Sequence, residues 1–297
     1  MRSMASCKRS TVFYDGPDHV KTLLASSLLL LGGCSGGVLD PHGPVGSAER
    51  IILFNATVIM LAVVIPVIVG TLVFAWWFRV GNKKARRQPD FSYSGRVEFV
   101  VWAIPALVVL FLGGIGWIGS HDLDPMAPLK SQMKPLEIDV VSLDWKWLFI
   151  YPKQGVGSIN QLVIPVGTPL RFRVTSSGVM NSFFIPQLGS QIYAMAGMAT
   201  QVNLQADDAG TYDGLSAQFS GDGFSDMHFV VLALPPAQYA QWLEDTRAHG
   251  DSLDMAQYAK LVLPSHRDAP RTFGLVSGGL FEAIVASPGA PPKQPMN

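Results

Sequence analysis

Only two cysteines occur in the 297 residues, Cys7 and Cys34, and none follows position 34. The long C-terminal portion can therefore form neither a disulfide nor a thiolate metal centre. Charge is scarce as well: 15% of residues are Asp, Glu, Lys or Arg, and the 22 bases cancel the 22 acids. Without a basic excess the chain has no electrostatic grip on a nucleic acid backbone, which excludes that partner. Histidines number six, and His121, His228, His249 and His266 lack any ligand spacing, which leaves them surface or packing roles. What is plentiful is apolar residues, at 48% of the chain with a mean hydropathy of +0.28, the composition of a membrane protein with a water-facing domain.

Residues 1–33 read as a lipoprotein signal peptide. Lys21 precedes an apolar core from Leu23 to Leu31, too short to span a bilayer, and Leu31-Gly32-Gly33-Cys34 closes it as a lipobox, with cleavage before Cys34 and lipid on its sulfur. Asp15 and Asp18 fit a positively charged leader badly, so the start is expected at Val20 rather than at Met1 or Met4. After a segment at 34–50, two apolar runs at 51–78 and 97–119 are each long enough for the roughly 20 residues of a transmembrane helix. Pro66 and Pro105 are tolerable inside membrane helices, Trp76 and Trp77 suit the interface, and Gly113, Gly116 and Gly119 form a small-residue face for close helix contact. The loop at 79–96 holds Arg79, Lys83, Lys84, Arg86, Arg87 and Arg96 against one acid, Asp90, so it stays cytoplasmic and both termini face outward.

Residues 120–234 change to strand and turn patterning. The stretch from Glu137 through Trp147 alternates, slips phase at Val141 and alternates again, which predicts one bulged strand. Further strands are predicted at Leu170 to Thr175, Ala199 to Gln205 and His228 to Ala233. Short strands at this density imply a β-sandwich or barrel. Helix formers dominate 235–286, and a Pro-rich tail at 287–297 reads as disordered. The fold class is thus α+β: a two-helix transmembrane hairpin, a periplasmic β-sandwich or barrel, and a C-terminal helical appendage.

One loop carries the chemistry. Ser216, Gln218, Ser220, Gly221, Phe224 and Met227, with Asn181 heading Asn181-Ser182-Phe183-Phe184-Ile185-Pro186 upstream, keep the spacing of Cys-x-Glu-x-Cys-Gly-x-x-His-x-x-Met and its upstream His. That frame resembles the dinuclear copper loop of cytochrome c oxidase subunit II. A dinuclear copper centre needs bridging thiolates, imidazoles and a weak thioether. Serine, asparagine and phenylalanine supply none of these, so four of five side-chain ligands are lost and Met227 alone remains.

Lipobox, helix pair, β domain and helical tail in this order resemble subunit II of the haem-copper oxidases, in its copper-less, cytochrome bo-type ubiquinol oxidase branch. Leu39-Asp40-Pro41, Asp144 to Pro152, Val179 to Pro186 and Leu188 to Met198 carry the likeness. The resemblance implies a cupredoxin-like outer domain with no cofactor of its own. It implies a haem-copper subunit I that holds the haems and copper, smaller membrane subunits, and a complex that oxidises ubiquinol, reduces dioxygen to water and pumps protons. The place it implies is the bacterial inner membrane, with a multi-pass chain anchored by lipid at Cys34 and its outer domain periplasmic. Quinol dissolves in the bilayer and reaches subunit I directly, which makes a copper relay idle and leaves this chain no catalytic residue. Phe224 then fills volume where metal stood, and Ser216 and Ser220 place hydroxyls where thiolates stood. Trp145 stands where copper-containing relatives place an aromatic on the electron path, and with the copper gone its preferred reading is a half-buried packing residue. Glu98 has two readings: a carboxylate complementing a helix N-terminus, or the mouth of a proton-uptake route. Met195 and Met198 read as interface gap fillers. A different class of function is a membrane-anchored, cupredoxin-like binding or assembly lipoprotein with no oxidase partner, which would purify alone and colourless.

Overall fold

The computed structural model describes residues 37–86 and 88–287. The signal peptide, the start position, Cys34, Arg87 and residues 288–297 of the tail lie outside the described residues. Two helices, α1 (Pro44–Trp77) and α2 (Gly95–Asp122), are the long apolar elements. Both run past the apolar stretches, α1 beginning seven residues before Ile51 and α2 ending three after Gly119. Hydropathy marks the hydrocarbon, whereas backbone hydrogen bonding carries the helix into the polar zone. Pro44 opens α1 at a position where its missing N–H costs nothing, and Gly46 is buried there with its N–H donating to the Leu188 carbonyl at 3.1 Å. Pro66 and Pro105 sit inside unbroken helices. The small-residue face divides: a Cβ at Gly119 would press on Ile52, while Gly113 and Gly116 face open space. Only Gly119 of the three therefore serves contact within the hairpin.

Before α1, residues 37–43 lie against the outer domain. His42 N–H donates to the Gln187 carbonyl at 2.8 Å, its own carbonyl accepts from Asp207 N–H at 2.8 Å, and its ring nitrogen stands 3.0 Å from Asp208.

The outer domain has twelve strands: β1 (Leu136–Leu143), β2 (Lys146–Tyr151), β3 (Val156–Ile159), β4 (Gln161–Pro165), β5 (Leu170–Ser176), β6 (Asn181–Phe184), β7 (Ile192–Ala194), β8 (Thr200–Leu204), β9 (Gly210–Ser216), β10 (His228–Leu234), β11 (Asp251–Leu253) and β12 (Arg271–Val276). Seven form one sheet in the order β11-β12-β3-β2-β1-β5-β8, and five form the other in the order β4-β10-β9-β6-β7. Between them lies a core built on Trp147, Phe149, Phe172, Phe183 and Phe229.

The single bulged strand expected from Glu137 to Trp147 is instead a hairpin. β1 and β2 pair antiparallel and turn at Asp144-Trp145, where Trp145 adopts φ +65°. No glycine or asparagine marks the left-handed position, so the turn carries no sequence signal. The phase slip has its own cause. Ile138 and Val140 enter the core between the sheets, while Val141 and Leu143 enter a second core on the other face of the larger sheet. A strand buried on both faces shows no alternation.

The second core revises the C-terminal region. The expected helices are present as α3 (Pro236–His249), α4 (Met255–Leu261) and α5 (Leu280–Ala286), but β11 and β12 join the larger sheet, β12 pairing antiparallel with β3. Leu253, Tyr258, Leu261, Phe273, Phe281 and Ile284 cover the outer face of β1 and β2. The region is therefore integral to the sheet, and the twelve-strand domain extends beyond residue 234. Short length and the central Gly274 conceal β12; a Cβ at Gly250 would collide with the Gly274 backbone, so close approach selects glycine there.

Candidate functional site

β6, β9 and β10 position the loop singled out by sequence. β9 pairs with both, so Phe183 lies opposite Ser216 and His228 opposite Leu215. Asn181 and Ser216 are thereby brought together in the interior: the Ser216 hydroxyl donates to Asn181 Oδ1 at 3.0 Å and also lies 3.3 Å from the Gln218 carbonyl. Asn181 Nδ2 donates to the Val179 carbonyl at 3.2 Å. Met227 is 1% exposed and belongs to the core between the sheets, with the Ser220 hydroxyl 3.9 Å from its sulfur. Gln218 and Phe224 are only half-buried, and the Phe224 ring meets exposed Phe219 edge-on at 5.5 Å. Asn181, Ser216, Ser220 and Met227 thus form a connected cluster, and Phe224 sits toward the loop's outer side.

The donor set can be tested against the dinuclear copper that the frame implies. Its hydroxyl and amide oxygens are neutral and already engaged with one another, and the one soft donor is a thioether. These residues do not fit such a centre. Among the described residues no group of three or more His, Cys, Asp or Glu side chains gathers to hold a metal.

Trp145, in the β1–β2 turn, leans on the same loop, its indole N–H donating to the Ser220 carbonyl at 3.2 Å. Gly223 lies against the ring so closely that an added Cβ would overlap it. Gly223 has φ −93°, a backbone any residue adopts, so Gly223→Ala acts through volume alone. It is expected to displace the indole and cost about 1–3 kcal/mol. Urea unfolding, with the Trp145 emission isolated by difference from a Trp145→Phe chain, measures both effects.

Sequence reasoning missed the groups on the far side of this ring. His266 stacks on Trp145 with centroids 4.6 Å apart, Arg267 Nε pairs with Asp226 at 3.0 Å, and Lys146, 2% exposed, reaches Asp268 at 3.5 Å. Burial pulls the Lys146 pKa below its ordinary value, with Asp268 opposing that shift. No local motif announces these contacts, because they join residues 41 to 122 positions apart. Glu98 lies elsewhere, exposed in the first turn of α2, its N–H donating to the Ser94 carbonyl at 3.0 Å. The structure does not bring it near the loop cluster's hydrogen bonds. Met198 is exposed, and the His121 ring lies tilted against Trp117 with centroids 4.5 Å apart.

Residues 136–234 match the family model described as cytochrome c oxidase subunit II, periplasmic domain, and residues 247–287 match the one described as the COX aromatic rich motif. The chain is 48% identical over 266 residues to cytochrome bo(3) ubiquinol oxidase subunit 2 of Pseudomonas aeruginosa, covering 90% of this chain and 80% of that one. It is 49% identical over 263 residues to ubiquinol oxidase subunit 2 of Acetobacter aceti, covering 88% and 85%. With cytochrome bo(3) ubiquinol oxidase subunit 2 of Buchnera aphidicola the identity is 40% over 270 residues, covering 90% and 94%.

Proposed function

The chain belongs to the ubiquinol oxidase subunit 2 family of the haem-copper oxidases, and on that premise we propose how its residues serve the complex. It is a subunit of a quinol-oxidising oxidoreductase of the membrane. Its contribution is structural rather than redox: the outer domain carries no metal, and electrons pass from quinol to haems and copper held by subunit I. One observation carries this reading, the neutral and mutually bonded oxygen donors at Asn181 and Ser216 where a copper relay would need thiolates and imidazoles. α1 and α2 pack against subunit I and smaller membrane subunits. Their lipid- or partner-facing character is supported by exposed apolar side chains such as Phe54, Leu72, Phe99 and Leu110.

The excess of bases at 79–96 supports a cytoplasmic loop there, with the outer domain in the periplasm of a bacterial inner-membrane protein. Cys34 is the lipid-bearing residue, on the periplasmic side. The lipoprotein without an oxidase partner is not favoured, because the similarity runs through most of the length of named oxidase subunits.

Purification through this chain tests the reading. Expected are a haem-bearing complex, quinol-dependent oxygen uptake, and copper confined to the partner when the subunits are separated and assayed. Stoichiometric copper on this chain alone would overturn the structural role. For Glu98 the proposal is a role at the cytoplasmic mouth of a proton route into subunit I, supported by its exposed place at the start of α2. Glu98→Gln is expected to slow oxygen consumption roughly two- to ten-fold without loss of assembly. Unchanged turnover would leave Glu98 only its interaction with the helix terminus.

A further inference from the structure

We propose that the segment from Leu263 to Arg271 is an intramolecular cap, which roofs Trp145 and holds the Ser216–Met227 loop in shape. His266 and Arg267 are its positioning residues. The need for such a brace follows from how little the loop holds by itself. Between β9 and β10 it contains Gly221, with φ +107°, Gly223, and a 3-10 turn of three residues at Phe224–Asp226. Its side chains contribute the Ser216 bonds to Asn181 and to the Gln218 carbonyl, a long hydroxyl–sulfur contact and the Phe219–Phe224 ring pair. A loop so rich in glycine loses much conformational entropy on ordering, and these few contacts offset only part of it.

The cap supplies the missing order from outside. Two buried side chains of the large sheet and its β3–β4 turn pin it. Lys146 Nζ donates to the Leu263 carbonyl at 3.0 Å and to the Ser265 hydroxyl, and Asn160 Nδ2 donates to the Asp268 carbonyl at 2.9 Å. Neither anchor is free to move. Lys146 is 2% exposed and paired with Asp268, and Asn160, 7% exposed, also accepts from Trp147 N–H through Oδ1 at 2.8 Å.

Between the anchors the cap reaches over to the loop. The His266 imidazole stacks on the Trp145 indole at an interplanar angle of 28°, and Asp226 of the loop receives Arg267 at 3.0 Å with His266 3.8 Å away. Arg267 adopts φ +53°, a left-handed conformation unusual for arginine, and Trp145 beneath the cap adopts φ +65°. Such backbones persist where surrounding contacts over-determine them. The indole is thus held between the glycine loop and an imidazole, and its N–H is engaged by the Ser220 carbonyl.

The chemistry of the contact gives it a second consequence. An electron-rich ring beside a carboxylate is a pair that a cationic partner protein would engage. Here the chain's own imidazole and guanidinium occupy both. The C-terminal region thereby does more than cover the outer face of the large sheet, because it also closes the outer domain over the loop.

The test uses the complex purified through the full chain, comparing the parent with a His266→Ala/Arg267→Ala chain and with Asp226→Asn. Amide hydrogen exchange is read separately for residues 217–226 and for β10, and acrylamide quenching of Trp145 is read by difference from matched Trp145→Phe chains. The double variant is expected to speed loop exchange by about ten-fold or more and to raise Trp145 quenching about two-fold, with β10 unchanged. Asp226→Asn leaves the cap's composition intact and is expected to speed loop exchange by about three-fold, which keeps the proposal testable if the double variant fails to assemble. Unaltered loop exchange in the chains that assemble would overturn the cap. So would β10 accelerating in step with the loop, because the segment would then stabilise the whole domain rather than brace one loop.

Discussion

Replacing Arg173 with leucine is expected to lower the unfolding free energy at pH 7 by about 3 kcal/mol. The register of the parallel β1–β5 pair sets Arg173 opposite Asp139. Its guanidinium makes two bonds to the carboxylate, Nε to Oδ1 at 2.6 Å and Nη2 to Oδ2 at 2.7 Å, bonds Glu282 of α5 at 3.0 Å, and lies over the Phe281 ring at 4.6 Å. Asp139 is 1% exposed, so the variant strands an uncompensated charge beside the second core and unfastens α5. The guanidinium itself is 36% exposed, and solvent screening keeps the expected loss at the low end for a broken buried pair.

The pH dependence follows from Asp139. Burial pushes its carboxyl above the ordinary aspartate value and Arg173 pulls it back only in part. A carboxyl raised in the fold is a burden when ionised and is relieved when protonated, so stability from this group rises as pH falls through its folded pKa. Without Arg173 the burden grows and its relief begins at higher pH. The deficit of Arg173→Leu is therefore expected to shrink between pH 7 and pH 5, and adding Asp139→Asn should recover much of it at pH 7. Urea unfolding of the full chain in detergent at the two pH values checks both statements. A loss that stays constant with pH would show that the carboxylate is not the group left in difficulty.

Phe183→Ala is expected to cost about 3–5 kcal/mol, the largest loss from any single side chain considered. Phe183 is 1% exposed and meets four other rings: Trp147 at 5.5 Å, Phe149 at 6.4 Å, Phe172 at 5.3 Å and Phe229, stacked at 5.4 Å. Phe229 packs so closely on Gly214 that even a Cβ there would overlap its ring, so moving into the hole would open a new gap beside Gly214. A cavity that cannot relax carries the higher penalty. Phe183 also pairs with Ser216, so loosening there should reach the Ser216–Asn181 bond. Phe183→Leu retains most of the volume and is expected to cost less than half as much. A midpoint shift at constant m-value in denaturant titrations would confirm a packing loss, and equal losses for the two variants would contradict it.

Legibility in the sequence differs from element to element. α1 and α2 can be read because twenty or so apolar residues in a row have one common use, and only their polar ends escape the hydropathy signal. The loop frame can be read because metal chemistry demands particular atoms at particular spacings, so their replacement by Ser216, Ser220 and Phe224 is informative without coordinates. β1 and β2 defeat that reading because two cores claim alternate residues and erase the period on which strand prediction depends. β12 escapes it because its place is decided by pairing with β3, across more than a hundred residues, rather than by its own six.

Amino-acid order alone settled the class: membrane hairpin, β domain, and a metal frame emptied of soft donors. Those properties depend on counts and local spacing, which survive in one dimension. Tertiary structure decided that the C-terminal region belongs to the sheet, that Lys146 and Asn160 anchor a cap, and that His266 and Arg267 meet Trp145 and Asp226. Such contacts join distant segments through shape and charge. They exist only after the chain has closed the long loops that bring its segments together, so no window of neighbouring residues could contain them.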